Sequence, residues 1–158
     1  MNTASLNEIK KEIQTLDPEV VAGLCMRLAK YKKENKELLN YLLFEAHNEQ
    51  AYITSVKEII DEFFHDVPAP NLYLTKKTLR KILRFVNKQI KYSGIVQTEI
   101  ELRVYFCKKT KEAQVPLTGG TVLFNLYQQQ IKKIYTSLDK LPEDLQADYQ
   151  REIEIVSE

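Results

Sequence analysis

The residues best able to do chemistry are the lysines and arginines of one long predicted helix, from about Thr75 to Ser93. At 100° per residue, six cations fall on one side of that helix and its apolar side chains fall on the other. No acidic residue occurs between Val67 and Thr98. Because like charges four residues apart on a helix repel, this face indicates binding of phosphates or of an acidic protein surface. The six cations are Lys77, Arg80, Lys81, Arg84, Lys88 and Lys91.

Two other interpretations of these six cations stay open. They can form a solvated surface, because salt near 0.15 M screens charges over about 8 Å. They can also pair with acidic residues of the last predicted helix. Those acidic residues are Glu143, Asp144, Asp148, Glu152 and Glu154.

The net charge of the chain is +1, but the sign of the charge changes along its length. Residues 74–113 hold eleven bases and three acids, whereas residues 137–158 hold seven acids and two bases. Attraction to a polyanion is therefore confined to the middle of the chain. Nucleic acid is accordingly the alternative partner, held through its phosphates without sequence readout.

The motifs that could support catalysis or metal binding are incomplete. Glu62 and His65 have the E-x-x-H spacing that puts two ligands on one helix face, but the other histidine, His47, belongs to no second pair. Residues 118–121, TGGT, precede a helix but lack the lysine of a phosphate-binding loop. We predict no catalytic residue, no metal and no cofactor, and therefore expect a protein that is not an enzyme.

The cysteines and the hydropathy pattern indicate a cytoplasmic protein. Cys25 and Cys107 lie far apart within apolar helical patterns, where cysteines usually behave as small buried hydrophobic residues. No stretch reaches the roughly 20 apolar residues of a membrane helix. Residues 1–11 do not resemble a signal peptide. We therefore expect no membrane partner.

Helical periodicity dominates the chain and predicts an all-α protein of seven to eight antiparallel helices. Ser5 and Glu8 form a capping box, Asp17 and Pro18 start the second helix, and Gly94 ends the fifth. Short links between such helices are typical of an irregular bundle or a short α-α superhelix. The helices are predicted at about 6–16, 17–31, 35–47, 49–64, 75–93, 96–111 and 122–138, with a last one after Pro142.

The apolar residues of the fifth and sixth helices indicate where the core lies. The sixth helix is apolar nearly all round, which predicts that it is central or lines a groove. The fifth has one apolar stripe opposite its cations, formed by Leu79, Ile82, Leu83, Val86 and Ile90.

The strongest break in the helical pattern is VPAPN at residues 67–71. Two prolines in three residues exclude a helix interior. Each half of the chain would be small for a core of its own. We therefore predict a single helical domain, 1–158, with a possible sub-boundary at the proline-containing link 67–73.

Residues 17–46 resemble a helical hairpin of the HEAT-repeat proteins. The segment DPEVV at 17–21 is similar to the opening helix of a HEAT repeat, and its continuation through residues 32–46 has about the length of the second helix. This resemblance implies an α-α superhelix that binds proteins and has no catalytic residues. We therefore predict a helical protein–protein interaction or scaffold protein. Its expected partner is another protein, and self-association is a further possibility.

Overall fold

The computed structural model describes residues 1–68 and 70–158, and all regular structure within those ranges is helical. This confirms the all-α prediction. Eight α-helices and one π-helical turn at Tyr41–Glu45 are described. The α-helices are α1 (Leu6–Gln14), α2 (Pro18–Tyr31), α3 (Lys33–Asn40), α4 (Glu49–His65), α5 (Leu72–Ser93), α6 (Val96–Glu112), α7 (Val122–Leu138) and α8 (Glu143–Ser157).

Local chemistry accounts for the ends of several helices. At the start of α1, the backbone N–H of Ser5 donates to the Glu8 carboxylate at 2.7 Å, and the Ser5 hydroxyl accepts from the backbone N–H of Glu8. This confirms the predicted capping box. The Asn71 side chain accepts from the backbone of Leu74 and starts α5 three residues before its predicted start. Gly94 ends α5 with φ +68°, a left-handed conformation that glycine adopts without strain.

The third predicted helix differs from the observed one. It begins at Lys33 rather than at residue 35, and only Lys32, in extended backbone, separates it from α2. The Asn35 side-chain amide donates to the Leu28 carbonyl at 2.8 Å, which holds the start of α3 against the end of α2. The α-helix ends at Asn40 and continues as the π-helical turn. A single extended residue is therefore enough to turn the chain between two helices.

The chain divides into two compact units, Met1–Phe44 and Glu45–Glu158. The proline-containing link 67–73, predicted as a possible sub-boundary, lies inside the second unit. There the Thr75 hydroxyl donates to the Pro68 carbonyl at 2.9 Å, which fastens the link to the first turn of α5. Ala69, within the link, lies outside the described residues. The organisation of 1–158 as a single domain stays a prediction.

Helix α6 is the centre of the second unit. It packs against α4, α5, α7 and α8, and Ile100, Leu102 and Phe106 are completely inaccessible to solvent. This confirms the prediction of a central helix, because a helix that is apolar on every side needs neighbours on every side. The predicted apolar stripe of α5 is also buried throughout. It comprises Leu79, Ile82, Leu83, Val86 and Ile90.

One charged side chain, Arg103, is buried within this core. Its Nε lies 2.9 Å from a Glu99 carboxylate oxygen. Its Nη1 donates to Asn87 Oδ1 at 3.0 Å and to Gln130 Oε1 at 2.8 Å. A buried charge is tolerated when it is paired and hydrogen-bonded in this way. The arginine therefore joins α5, α6 and α7 through one polar network.

We expect Arg103→Met to lower the free energy of unfolding by about 2–4 kcal/mol, because it leaves Gln130 and Glu99 without their partner. Urea unfolding followed by far-ultraviolet circular dichroism measures the loss. The matched control is Arg151→Met on the exposed side of α8, which should stay within about 0.5 kcal/mol of the parent. Equal losses in the two variants would contradict a structural role for the Arg103 network.

Candidate functional site

An open apolar groove of about 980 Å³ lies between α1 and α2 in the first unit. It is named here the N-terminal groove. The two helices that form it are joined by a link of only three residues, so both contribute along its length. Its apolar floor consists of Ile9, Ile13, Leu16, Leu24, Leu28 and Tyr31.

The spacing of apolar residues explains why both helices face this groove. On α1, Leu6, Ile9 and Ile13 are separated by three and then four residues, and Leu16 follows after three more. The same 3-4-3 spacing recurs on α2, at Val21, Leu24, Leu28 and Tyr31. This spacing is typical of helices that pack along a shared seam, as in coiled coils. Each helix therefore has one continuous apolar edge.

These apolar edges remain accessible to solvent. Ile13 is 40% exposed, Leu28 62% and Tyr31 77%. Among residues 1–44, Tyr41 is the only buried side chain. A contiguous exposed apolar surface on a folded protein is typical of an interaction site.

Charged residues of opposite sign line the two sides of the N-terminal groove. Glu8 and Glu12 lie on α1, whereas Arg27 and Lys30 lie on α2. Within the described residues, no ion pair joins the two sides. A backbone hydrogen bond from Ser5 lowers the pKa of Glu8, so that carboxylate is ionised at neutral pH. The groove thus has an apolar floor, an acidic side and a basic side.

The two cysteines have different surroundings. Cys107 is completely buried on α6, as predicted, but Cys25 is exposed, and that prediction was wrong. Cys25 lines a shallow depression of about 230 Å³ between α2 and α3, beside Leu38 and Leu42. The apolar pattern of α2 predicts a buried position for Cys25, yet α3 covers this face only in part. The number of packing neighbours, which periodicity does not reveal, decides the difference.

The six predicted cations of α5 lie on one exposed face, which is named here the α5 basic face. Pairing with the acidic residues of α8, one of the interpretations left open by the sequence, is not observed among the ion pairs of the described part of the chain. Helix α8 packs against α6 and α7 instead. The face comprises Lys77, Arg80, Lys81, Arg84, Lys88 and Lys91.

Aromatic packing against α4 fixes the orientation of the α5 basic face. The Phe85 and Phe63 rings meet edge to face with their centroids 5.4 Å apart. The Lys81 ammonium lies 5.3 Å from the centre of the Phe63 ring, where a cation–π interaction stabilises it. Phe85, which could have stacked on a nucleic-acid base, is therefore occupied in packing α5 on α4.

A second cleft, of about 500 Å³, lies in the second unit and is lined by residues of α4, α6 and α8. Both signs of charge line it, and Lys57 Nζ lies 3.6 Å from a Glu101 oxygen. Lys108 and Arg151 add two exposed cations, and Glu152 adds an acid. This mixture neutralises most of the local charge. The cleft therefore lacks a strong preference for ligands of either sign.

Beside this cleft, Tyr105 bridges α6 to α4. Its hydroxyl donates to the Asp61 carboxylate at 2.6 Å, and Lys109 Nζ lies 3.2 Å from the same oxygen. Burial and the Asp61 carboxylate raise the pKa of Tyr105 above its usual range. Burial opposes the charge of Lys109, but hydrogen bonds to Asp61 and Glu112 outweigh it and raise the pKa of Lys109. The Tyr105 hydroxyl thus stays protonated at neutral pH and acts as a structural hydrogen-bond donor to Asp61.

The described residues contain no group of three or more histidine, cysteine, aspartate or glutamate side chains arranged to hold a metal ion. Glu62 and His65, the E-x-x-H pair, are both exposed at the end of α4. Thr121, the last residue of TGGT, accepts from the backbone N–H of Phe124 and starts α7. No described helix has both the length and the apolar character needed to cross a membrane.

Comparison of the chain with models of known protein families, with curated proteins and with solved structures finds no match. The resemblance of residues 17–46 to a HEAT hairpin therefore stays a prediction. In the structure this segment comprises α2, α3 and the π-helical turn, and α2 packs against α3. Function has to be inferred from the surfaces of the chain itself.

The sequence predicts apolar stripes on the helices that form the N-terminal groove, but helical period does not show whether other helices cover those stripes. The signal that could have found the groove is the shortness of the region. Helices α1 and α3 have only nine and eight residues, too few to cover the apolar edges of α2.

We expect the native protein to expose one reactive thiol. Burial raises the pKa of the Cys107 thiol to about 12, so it stays protonated and unreactive up to mildly alkaline pH. Cys25 is exposed and should react with Ellman's reagent at pH 8 within minutes. The Cys25→Ser variant should lack this fast reaction, and its remaining thiol, Cys107, should react only after denaturant unfolds the protein. Two fast thiols in the parent protein would contradict the burial of Cys107.

Proposed function

We propose that this chain is a non-catalytic interaction or scaffold protein of the cytoplasm that binds another protein through the N-terminal groove. The observation that carries the proposal is the exposed apolar floor contributed by α1 and α2. The HEAT-like hairpin proposed for residues 17–46 points to the same class of protein.

The dimensions and chemistry of the groove favour a helical partner. An amphipathic helix binds by laying its apolar side chains along an apolar groove, with charged residues at the edges setting its orientation. Each Leu-sized side chain that becomes fully buried contributes about 1.5–3 kcal/mol. Burial of the six floor residues, together with the partner's apolar side chains, is of the same order as the cost of association, about 4–15 kcal/mol.

Site-specific photo-crosslinking in the source cells tests this proposal. A photo-reactive phenylalanine analogue replaces Leu24, in the groove floor, in one variant. In the control variant it replaces Gln128, an exposed residue of α7. We expect a discrete covalent adduct from position 24 and none from position 128, with the captured protein identified by mass spectrometry.

Crosslinks of equal yield at positions 24 and 128, or none at either, would contradict binding through the groove. A companion Ile13→Asp substitution within the position-24 variant should reduce the adduct at least tenfold, because it places a carboxylate on the apolar floor. Far-ultraviolet circular dichroism verifies that the substituted chain remains helical.

A second candidate function is binding of nucleic-acid phosphates by the α5 basic face. The observation that favours it is an exposed row of cations, most of which have no ion pair among the described residues. Within the described residues no ion pair involves five of its members, namely Lys77, Arg80, Lys81, Arg84 and Lys91. Phosphates supply the negative charge that such a surface lacks.

Fluorescence anisotropy of labelled DNA and RNA oligonucleotides, over a series of salt concentrations, tests this second function. We expect Arg80→Glu/Arg84→Glu to abolish binding, because it reverses two central charges of the face. The control Lys132→Glu/Lys133→Glu, on the exposed side of α7, changes the net charge equally and should retain binding. Equal loss in both variants would indicate a general charge effect, and absence of binding at low salt would rule the function out.

A further inference from the structure

The first unit has almost no core of its own, because Tyr41 is the only buried side chain among residues 1–44. It has 44 residues, close to the size below which folded units need disulfides, metals or association. Its single cysteine, Cys25, cannot form an internal disulfide. The described residues include no metal-binding group. Association with a partner would bury the apolar edges of α1 and α2.

The charges of the groove identify which kind of surface complements it. The acids lie on α1 and the bases on α2. A two-fold axis along the groove places α1 of one copy against α2 of the other, antiparallel to it. The acidic side of each copy then lies against the basic side of its partner. A surface of this kind is self-complementary, as a two-fold interface requires.

The overall charge and helical spacing of the unit are also compatible with self-association. Residues 1–44 contain seven bases and six acids, so two copies approach without a large net repulsion. Helices with 3-4-3 apolar spacing pack side by side at small crossing angles, as in four-helix bundles. Two copies of α1 and α2 supply four such helices.

We infer that the N-terminal groove is occupied by the N-terminal groove of a second copy of this chain, so that the protein is a two-fold symmetric dimer. This inference rests on the proposed function and specifies the partner of the same site. In the dimer, α1 of each copy packs against α2 of the other. The apolar floors of the two grooves form one four-helix core.

Charge reversal on one side of the groove provides a selective test. The variant Glu12→Lys places a base on the acidic side of the groove and keeps Glu8, which caps α1, and Arg27→Glu places an acid on the basic side. Because each contact occurs twice in a two-fold dimer, we expect either variant alone to dimerise about 10- to 100-fold more weakly than the parent. Lys132→Glu/Lys133→Glu is the control and should dimerise like the parent.

An equimolar mixture of the two charge-reversed variants should form a heterodimer with parent-like affinity. In that mixture both α1–α2 contacts again join opposite charges, whereas damage to folding would not be repaired. Sedimentation velocity from about 1 to 100 µM covers the affinities expected for such an interface. Three results would each overturn the dimer. The parent could stay monomeric over this concentration range, the charge-reversed variants could dimerise as well as the parent, or the equimolar mixture could fail to form a heterodimer.

The crosslinking variant at position 24 separates failure of the dimer from failure of the proposed function. An adduct between two copies of this chain supports the dimer. A monomeric parent whose position 24 captures a different, identified protein overturns the dimer but supports the interaction function. A monomeric parent with no adduct overturns both.

Discussion

Helix α6 is apolar on nearly every side, and the second unit is organised around the need to cover it. A helix of this kind is stable in water only when neighbours cover its apolar side chains. Helices α4, α5, α7 and α8 do so. Arg103, a buried charged side chain of this core, has its hydrogen-bond partners on α5, α6 and α7. Because α5 covers α6 with its single apolar stripe, its cations point to solvent. The α5 basic face is therefore a consequence of how the core is closed.

The same physical requirement is not met in the first unit. Its helices carry regular apolar edges, but the unit offers no central helix for them to cover, and the floor of the N-terminal groove remains in contact with water. Leaving such surface exposed costs free energy that a partner recovers on binding. When a small unit cannot bury all of its apolar side chains, binding a partner also stabilises its fold. This links the proposed function to the folding of the unit.

The two candidate surfaces differ in the sign of their charges and in what those charges would contribute to binding. Along the N-terminal groove, charges of both signs flank an apolar floor. In the proposed complex these charges would select the orientation and identity of the partner, and apolar burial would supply most of the affinity. On the α5 basic face, charges of one sign are spread over an exposed helix, and Phe85 is engaged with Phe63. Binding there would depend on phosphates and on salt concentration. The two surfaces lie on different units, and their proposed partners differ in chemistry.

The sequence by itself determined the features that depend on neighbours along the chain. The all-α class, the Ser5 capping box, the end of α5 at Gly94 and the central position of α6 all follow from local hydrogen bonding or from helical period. Only the tertiary structure decided which apolar edges have partners. It buried Cys107 and exposed Cys25, although both lie in similar apolar patterns. It also placed α8 against α6 and α7 rather than α5, and it opened the N-terminal groove. The helical period of the sequence specifies the direction in which a side chain points. Whether that side chain is buried or forms an ion pair depends on which helix lies opposite it, and the packing of the whole chain sets this.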